Sequence, residues 1–167
     1  MSRTTYELAE EALRLARGAG LTIATAESCT GGLVSAALTD VPGSSDAMDR
    51  GFVTYSNAAK TEMLGVPADL ITRHGAVSEE VARAMAEGAI VAAKVGVTVA
   101  ITGVAGPGGG TEAKPVGLVH FAAARRGRPT ITRERRFGDL GRAEIRRLST
   151  LTALELLAEA AGKTEVA

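Results

Sequence analysis

The sequence contains few aromatic residues: they make up 3% of 167 positions, and tryptophan is absent. Large rings therefore cannot fill the interior, and a core has to be built mainly from Ala, Val, Leu and Ile. Hydrophobic residues still account for 46% and charged residues for 23% of the chain, which is normal for a globular protein and excludes general disorder. At this length we expect one domain with a single hydrophobic core.

The sequence also lacks a net charge and a second cysteine. Its 19 Lys and Arg residues balance 19 Asp and Glu residues, so no overall field attracts nucleic acid or an anionic membrane. Cys29 is the one cysteine, which excludes an internal disulfide and favours a reducing compartment.

The amino-terminal segment is charged throughout, and no apolar run approaches the roughly 20 residues that span a bilayer. We therefore predict no signal peptide, no membrane anchor and a cytoplasmic location.

Helical and strand patterns alternate along the chain. Thr4 and Glu7 form a capping-box pattern for a first helix, and Ser78 is a suitable N-cap for a long Ala-rich helix that Gly96 would stop. Helices are predicted over residues 4–18, 33–38, 58–64, 79–94 and 142–161, and strands over residues 21–26, 51–55, 97–102, 116–124 and 130–137. This order, with two adjacent strands late in the chain, predicts an α/β fold with a mixed sheet covered by helices on both faces.

A polar turn, residues 27–32, follows the first predicted strand. A strand that ends in a Gly-Gly turn before a helix can expose a hydroxyl and direct backbone N–H groups at an anion. Ser28 is therefore a candidate nucleophile, with the turn as its oxyanion hole. The alternative is that Ser28 or Thr30 only caps the following helix. Cys29 is a rival nucleophile that ranks lower, because no His lies close in the sequence to assist thiolate formation.

A second candidate cluster, Tyr55 to Lys60, follows the next predicted strand. The carboxyl ends of strands in α/β sheets commonly present functional side chains. A lysine in a partly apolar site loses its proton more easily, and the neutral amine can then accept a proton from a serine, with Tyr55 relaying or stabilising the transfer. The alternative is a solvated Lys60 in the first turn of a helix and a Tyr55 that bridges core and surface.

A loop with five glycines follows the strand that contains Thr102. Glycines such as Gly103 and Gly106 let a backbone approach a ligand closely, which favours a cradle for a phosphate or a ribose; a mobile surface loop is the alternative. Three arginines, Arg142, Arg146 and Arg147, begin the last helix. A guanidinium there can clamp a phosphate through its planar fork, although surface charge is the usual role of most such residues.

The two histidines, His74 and His120, lie far apart in the sequence, and neither belongs to a spaced set of Cys, His or carboxylate ligands. A metal site therefore has little support. We interpret His74, which precedes Gly75, as a turn residue and His120 as a strand residue.

Five short motifs follow one another along the chain. They are residues 26–32 (AESCTGG), 42–45 (PGSS), 51–57 (GFVTYSN) with Lys60, 74–78 (HGAVS), and 102–107 (TGVAGP) with 114–117 (KPVG). Taken together, they closely resemble the nicotinamide-nucleotide amidohydrolase family, also known as the carboxy-terminal domain of the competence/damage-inducible protein CinA. Five ordered motifs are far more specific than any one of them, and they extend over nearly the whole chain.

The resemblance implies a three-layer α/β/α domain that converts nicotinamide mononucleotide and water to nicotinate mononucleotide and ammonia, without a metal or an organic cofactor. By the family pattern Ser28 is the nucleophile and Lys60 its base, with Tyr55 and Ser45 close to the reacting centre and Ser45 as the alternative nucleophile. The residues assigned to the substrate are Thr30, Gly31, Gly32, Thr102, Gly103, Gly106 and Arg142.

The resemblance also bears on assembly and on rival functions. In longer relatives a nucleotide-pyrophosphatase module precedes this domain, so the resemblance implies a stand-alone form here. Stand-alone members of the family resemble one another in forming dimers, and the resemblance is therefore compatible with a homodimer. One rival function is that of a regulatory domain that binds a nucleotide but catalyses no reaction. Another is an amidase for a different small amide. The presence of Ser28, Tyr55 and Lys60 together favours the enzyme.

Overall fold

The computed structural model describes residues 2–162, which form six α-helices and a five-stranded sheet. The helices are α1 (Thr5–Gly18), α2 (Leu33–Thr39), α3 (Asn57–Leu64), α4 (Ala68–His74), α5 (Glu79–Ala93) and α6 (Arg142–Gly162). The strands are β1 (Ile23–Glu27), β2 (Met48–Val53), β3 (Val97–Gly103), β4 (Leu118–Arg125) and β5 (Ile131–Arg136). A short 3-10 turn covers Ser44–Asp46.

The sheet is mixed, with the strand order β2-β1-β3-β4-β5. Strands β2, β1 and β3 are parallel, whereas β4 and β5 run antiparallel as the late strand pair that the sequence predicts. In the register of the parallel strands Glu27 lies beside Val53 on one side and Ile101 on the other. The segments that follow β1, β2 and β3 therefore leave the sheet at the same edge.

Helices cover both faces of the sheet, which confirms the three-layer α/β/α prediction. Successive side chains of a strand point to opposite faces, so Val99 and Phe121 pack with α1, α2 and α6, whereas Ala100 and Ala122 pack with α3, α4 and α5. The sheet thus separates two large apolar clusters instead of enclosing the single core that we expected. Within residues 2–162 no helix is both long enough and apolar enough to cross a membrane.

Small residues bring the layers close together, which fits the shortage of aromatic side chains. Gly88 lies on α5 where it faces α3, and a Cβ atom at that position would meet the Leu64 carbonyl oxygen at 2.0 Å. On the sheet side, the Thr98 hydroxyl donates a hydrogen bond of 2.6 Å to the Ala86 carbonyl of the same helix. Ala and Gly therefore set the spacing that larger side chains would prevent.

The second strand is displaced from its predicted position. It covers Met48 to Val53 and not 51–55, so Tyr55 lies in the loop beyond it. Asp49 and Arg50 are exposed and form an ion pair on this edge strand. An edge strand can carry charged side chains because it needs little burial. The two successive charged residues interrupt the apolar run by which a strand is recognised in the sequence, so the start of this strand was not predicted.

The structure differs from the sequence analysis at three places in the segment 67–96. Helix α4 was not predicted: it is seven residues long, and its N-cap, Pro67, makes no side-chain capping bond. His74 is the last residue of this helix and not a turn residue. Lys94, with a φ of 55°, is the C-cap that ends α5, two residues before Gly96, which we expected to stop this helix. Tertiary packing decides these boundaries, and the usual cap residues do not mark them.

Candidate active site

A serine and a lysine meet at the carboxyl edge of the parallel strands. Ser28 directly follows β1, and Lys60 lies in the first turn of α3 after β2. The Lys60 Nζ and Ser28 Oγ atoms are 3.1 Å apart, within hydrogen-bond distance. Lys60 Nζ also donates to the backbone carbonyls of Thr54 at 2.8 Å and Tyr55 at 3.1 Å. The structure thus brings together two residues that are 32 positions apart in the sequence.

The surroundings of Lys60 favour its neutral form. The residue is 1% exposed, and no carboxylate of residues 2–162 forms an ion pair with it. Burial lowers the pKa of the Lys60 amine below its ordinary value, because desolvation disfavours the ammonium. A neutral amine donates two N–H bonds and keeps one lone pair, which matches two carbonyl acceptors and one hydroxyl. The alternative of a solvated surface lysine is therefore wrong.

A buried carboxylate, which the sequence reasoning missed, holds the turn after Ser28. Glu27 is 0% exposed and lies at the last position of β1. Its carboxylate accepts hydrogen bonds from the N–H groups of Gly32, Val34 and Ser35 at 3.0–3.1 Å and from the Thr30 hydroxyl at 2.7 Å. These N–H groups open α2, where a negative charge is favourable. An acidic residue between an apolar strand and a helix start is the signal that could have identified it.

The capping alternative for Ser28 and Thr30 is therefore wrong. The N-cap of α2 is Gly32, with a φ of 106° and no side-chain capping bond. Thr30 donates its hydroxyl to the carboxylate of Glu27, and the Ser28 Oγ atom lies in hydrogen-bond contact with Lys60 Nζ. Because Glu27 satisfies the start of the helix, the Ser28 hydroxyl remains available for chemistry.

Replacing Glu27 with glutamine is expected to lower the free energy of unfolding by about 3 kcal/mol, because an amide NH₂ group would face buried N–H donors that then lose their acceptor. Urea denaturation followed by circular dichroism measures the change. Glu10→Gln, on the exposed side of α1, removes the same charge without such contacts and serves as the matched control. Equal stability of the two variants would show that the carboxylate of Glu27 does not hold the turn.

The glycines of the turn do not offer their N–H groups to a ligand. Gly31 N–H donates to the Ser28 carbonyl at 3.0 Å, and Gly32 N–H donates to Glu27 at 3.1 Å. Gly31 and Gly32 have φ values of 55° and 106°, so their conformations explain why glycine occurs there. These two N–H groups are therefore not available for the oxyanion hole that we predicted in this turn, because both are already used within it.

Cys29 is not a competing nucleophile. Its side chain is 5% exposed, and burial raises the pKa of the thiol to about 12. The thiolate, which is the reactive form, is therefore scarce near neutral pH. Cys29 packs instead in the apolar cluster between the sheet and α1, α2 and α6.

Arg142 links two segments that border the site. Its Nη1 donates to the Gly106 carbonyl at 2.8 Å, and its Nη2 donates to the Tyr55 hydroxyl at 3.0 Å. Tyr55 is 60% exposed and contacts Lys60 through its carbonyl, not through its hydroxyl. A proton relay through the Tyr55 hydroxyl is therefore not supported, and the phosphate clamp by Arg142 stays a prediction.

The end of β3 lies beside the serine. Ser28 N–H donates to the Ile101 carbonyl at 3.0 Å, which places Thr102 at the same edge of the sheet. The Thr102 hydroxyl donates to the Ala76 carbonyl at 2.9 Å and so ties β3 to the segment before α5. Gly103 and Gly106 have packing reasons of their own, because a Cβ atom would meet β4 at the first and Val116 at the second. Their contact with substrate stays a prediction.

Ser45 is not brought to this site within the chain. It lies in the 3-10 turn before β2, whereas Ser28 follows β1, and these strands are parallel. Ser45 therefore lies at the amino ends of the parallel strands and Ser28 at their carboxyl ends. The five residues of β1 separate these two ends by roughly 16 Å. Ser45 is also exposed. As an alternative nucleophile acting with Lys60 of the same chain, it is excluded by this topology.

Each histidine forms a pair with a glutamate side chain. His74 lies 3.4 Å from Glu80, and His120 lies 3.7 Å from Glu134. Burial lowers the pKa of His120. The described residues contain no group of three or more His, Cys, Asp or Glu side chains that could hold a metal ion.

The fold and the buried Ser28–Lys60 pair define a three-layer α/β protein with a candidate nucleophile and base. Residues 5–161 match the model of the CinA C-terminal domain, and the chain therefore belongs to this family. A CinA-like protein of a Mycobacterium species is 57% identical over 143 residues, which are 85% of this chain but 34% of that protein. The chain thus spans about a third of the length of this relative.

Two further comparisons cover nearly the whole of both chains. The Escherichia coli protein named nicotinamide-nucleotide amidohydrolase PncC is 49% identical over 152 residues, which are 90% of this chain and 91% of that protein. The crystal structure of the competence/damage inducible protein CihA from Agrobacterium tumefaciens superposes with a TM-score of 0.89 at 49% identity, covering 94% of this chain and 97% of that one.

Proposed function

We propose that the protein hydrolyses the carboxamide of nicotinamide mononucleotide to nicotinate mononucleotide and ammonia, as a step of pyridine nucleotide salvage. The observation that carries the proposal is the 3.1 Å contact between Lys60 Nζ, which is buried, and Ser28 Oγ, whose residue keeps 9% of its surface exposed. The 49% identity to the Escherichia coli amidohydrolase supports the choice of substrate.

In the first half of the reaction Ser28 attacks the carboxamide. Its Oγ forms a bond to the carbonyl carbon while its proton passes to the lone pair of Lys60 Nζ, and the carbonyl oxygen becomes an oxyanion. When the tetrahedral intermediate collapses, the C–N bond breaks and the Lys60 ammonium returns the proton to the departing nitrogen. Ammonia leaves, and an ester joins Ser28 to the nicotinoyl group.

The second half of the reaction releases the acid. Water attacks the ester carbon, and Lys60 accepts a proton from that water. A second tetrahedral intermediate collapses, the bond to Ser28 Oγ breaks, and Lys60 returns the proton to the serine. The sum is one amide and one water converted to one carboxylic acid and one ammonia. All proton transfers use Lys60, so the mechanism needs no metal or organic cofactor.

Binding of the mononucleotide is assigned to the segments that surround the pair. Arg142 has an exposed guanidinium next to the site, and its planar fork suits the phosphate. Thr102 and the glycine loop after β3 lie at the same sheet edge, and we assign them to the ribose. The nicotinamide ring then extends toward Ser28.

A panel of amides tests the function. Nicotinamide mononucleotide should release ammonia with the highest kcat/KM, and nicotinamide riboside should fall by about 10-fold to 100-fold, because it lacks the charged hydrogen bonds of the phosphate. Nicotinamide and glutamine should react still more slowly. The Ser28→Ala variant purified in parallel is the blank for contaminating deamidases.

Two outcomes would contradict the proposal. Binding of nicotinamide mononucleotide without ammonia release would identify a non-catalytic nucleotide-binding domain. A higher kcat/KM for one of the other amides would identify an amidase of different specificity.

A further inference from the structure

One arginine of α6 contacts the turn that carries the serine. Arg146 Nε donates to the Cys29 carbonyl at 3.0 Å, and its Nη2 donates to the Thr30 carbonyl at 3.3 Å. Arg146 forms no ion pair with any residue from 2 to 162, whereas its neighbour Arg147 pairs with Glu144. The guanidinium of Arg146 is thus directed at backbone carbonyls of the turn and not at a carboxylate.

These contacts fix the direction of a free N–H group. The Cys29–Thr30 peptide is trans, so the Thr30 N–H points away from the carbonyl that Arg146 holds. Thr30 N–H donates to no acceptor among residues 2–162, although Thr30 is 0% exposed. The Thr30 side chain is held from the other side by Glu27 at 2.7 Å. A buried backbone donor without a partner therefore lies two residues after Ser28.

Gly31 allows this arrangement. Its φ is 55°, and a Cβ atom at this position would come within 3.3 Å of Arg146 Nη2, a distance that forces one of the two groups to move. A side chain at position 31 would therefore strain the turn and crowd the guanidinium. The glycine, the arginine and the orientation of the turn form one structural unit.

We infer that Arg146 is a positioning residue: by holding the carbonyls of Cys29 and Thr30 toward α6, it directs the Thr30 N–H at the oxyanion of the tetrahedral intermediate. The inference rests on the proposed amide hydrolysis. A preorganised backbone donor is effective only if it does not have to turn during the reaction. Since two donor atoms of Arg146 hold carbonyls of the turn that carries Ser28, the residue acts through Thr30.

The test compares Arg146→Met with Arg147→Met. Removal of the Arg146 guanidinium should lower kcat for nicotinamide mononucleotide by about 100-fold and leave KM within about threefold, because a donor to the oxyanion acts only in the transition state. Arg147→Met removes an exposed arginine of the same helix that does not contact the turn, and it should retain the kcat of the unaltered protein. Arg146→Lys should give an intermediate kcat, since an ammonium lacks the fork that reaches both carbonyls.

Chemical rescue separates positioning from folding. In Arg146→Ala, millimolar guanidinium should restore part of kcat, whereas the same addition should not affect Arg147→Ala. A raised KM with unchanged kcat would overturn the inference and make Arg146 a substrate-binding residue. A kcat loss without rescue, accompanied by a lower melting temperature, would also overturn it and leave a purely structural role.

A second substrate separates this inference from the proposed function. Hydrolysis of p-nitrophenyl acetate passes through an oxyanion but needs no mononucleotide. If the protein releases no ammonia from nicotinamide mononucleotide but cleaves the ester, the proposed function fails, and the loss in Arg146→Met is measured on the ester. If neither substrate reacts, both proposals fail. If both react and Arg146→Met is unimpaired, only the positioning role fails.

Discussion

Replacing Ser28 with alanine should lower kcat for ammonia release from nicotinamide mononucleotide by about 10⁴-fold or more. The reason is that the variant loses the atom that bonds to the carboxamide carbon, and Lys60 then has no hydroxyl to deprotonate. The fold should persist, since one oxygen atom is removed without a loss of core volume. Steady-state kinetics gives kcat, and calorimetry with nicotinate mononucleotide should give an unchanged dissociation constant.

Two matched variants show whether Ser28 is the nucleophile. Cys29→Ala removes the adjacent thiol, and Ser45→Ala removes the hydroxyl at the opposite edge of the sheet. Both should keep kcat within a few-fold, because the thiol is buried and protonated and Ser45 does not reach Lys60 in its own chain. Near-normal turnover by Ser28→Ala, together with inactivity of either control, would reassign the nucleophile.

Replacing Lys60 with methionine should also lower kcat by about 10⁴-fold, the loss expected when a serine nucleophile has no base. Methionine keeps much of the volume of the buried stem. Its effect on the free energy of unfolding is expected to be small, because relief from burying an amine opposes the loss of hydrogen bonds to the Thr54 and Tyr55 carbonyls. An active Lys60→Met variant would remove the lysine from the mechanism.

The pH dependence of both activity and stability follows from the lowered pKa of Lys60. Only the neutral amine accepts the proton of Ser28, so kcat/KM should fall as the pH drops through that pKa. Between the lowered pKa and the ordinary lysine value, the unfolded chain binds a proton that the folded chain does not. The unaltered protein should therefore lose stability relative to Lys60→Met as the pH falls across this interval. A flat pH profile of kcat/KM would contradict a neutral-lysine base.

The sequence predicted the serine side of the site because its signals are local. An apolar strand, a polar turn with two glycines and a helix pattern occur within a dozen residues, and they place Ser28 at a sheet edge. The parallel arrangement then brings the segment after β2 to the same edge, so Lys60 follows from topology. Its burial did not follow, because the layer that covers it comes partly from α5, far along the chain.

The parts that the sequence did not predict depend on contacts between distant segments. Glu27 gave no periodic signal, since one acidic residue at the end of a strand is ordinary until the helix that it caps is in place. Arg146 reaches the turn from 117 positions away, and only the packing of α6 shows which of three arginines does so. Ser45 came from the family resemblance alone, and motif order carries no information about which edge of the sheet a residue occupies.

Glu27 also determines where the charged end of a substrate can lie. In many nucleotide-binding proteins the first turn of a helix after a strand is the phosphate receptor, yet here a side chain of the protein itself fills that position. A second anion beside this carboxylate would meet its repulsion and find the helix donors occupied. For the proposed substrate we therefore expect the phosphate to lie away from the start of α2, and the pyridinium ring, which carries a positive charge and the carboxamide, to be the end of the mononucleotide that this turn admits.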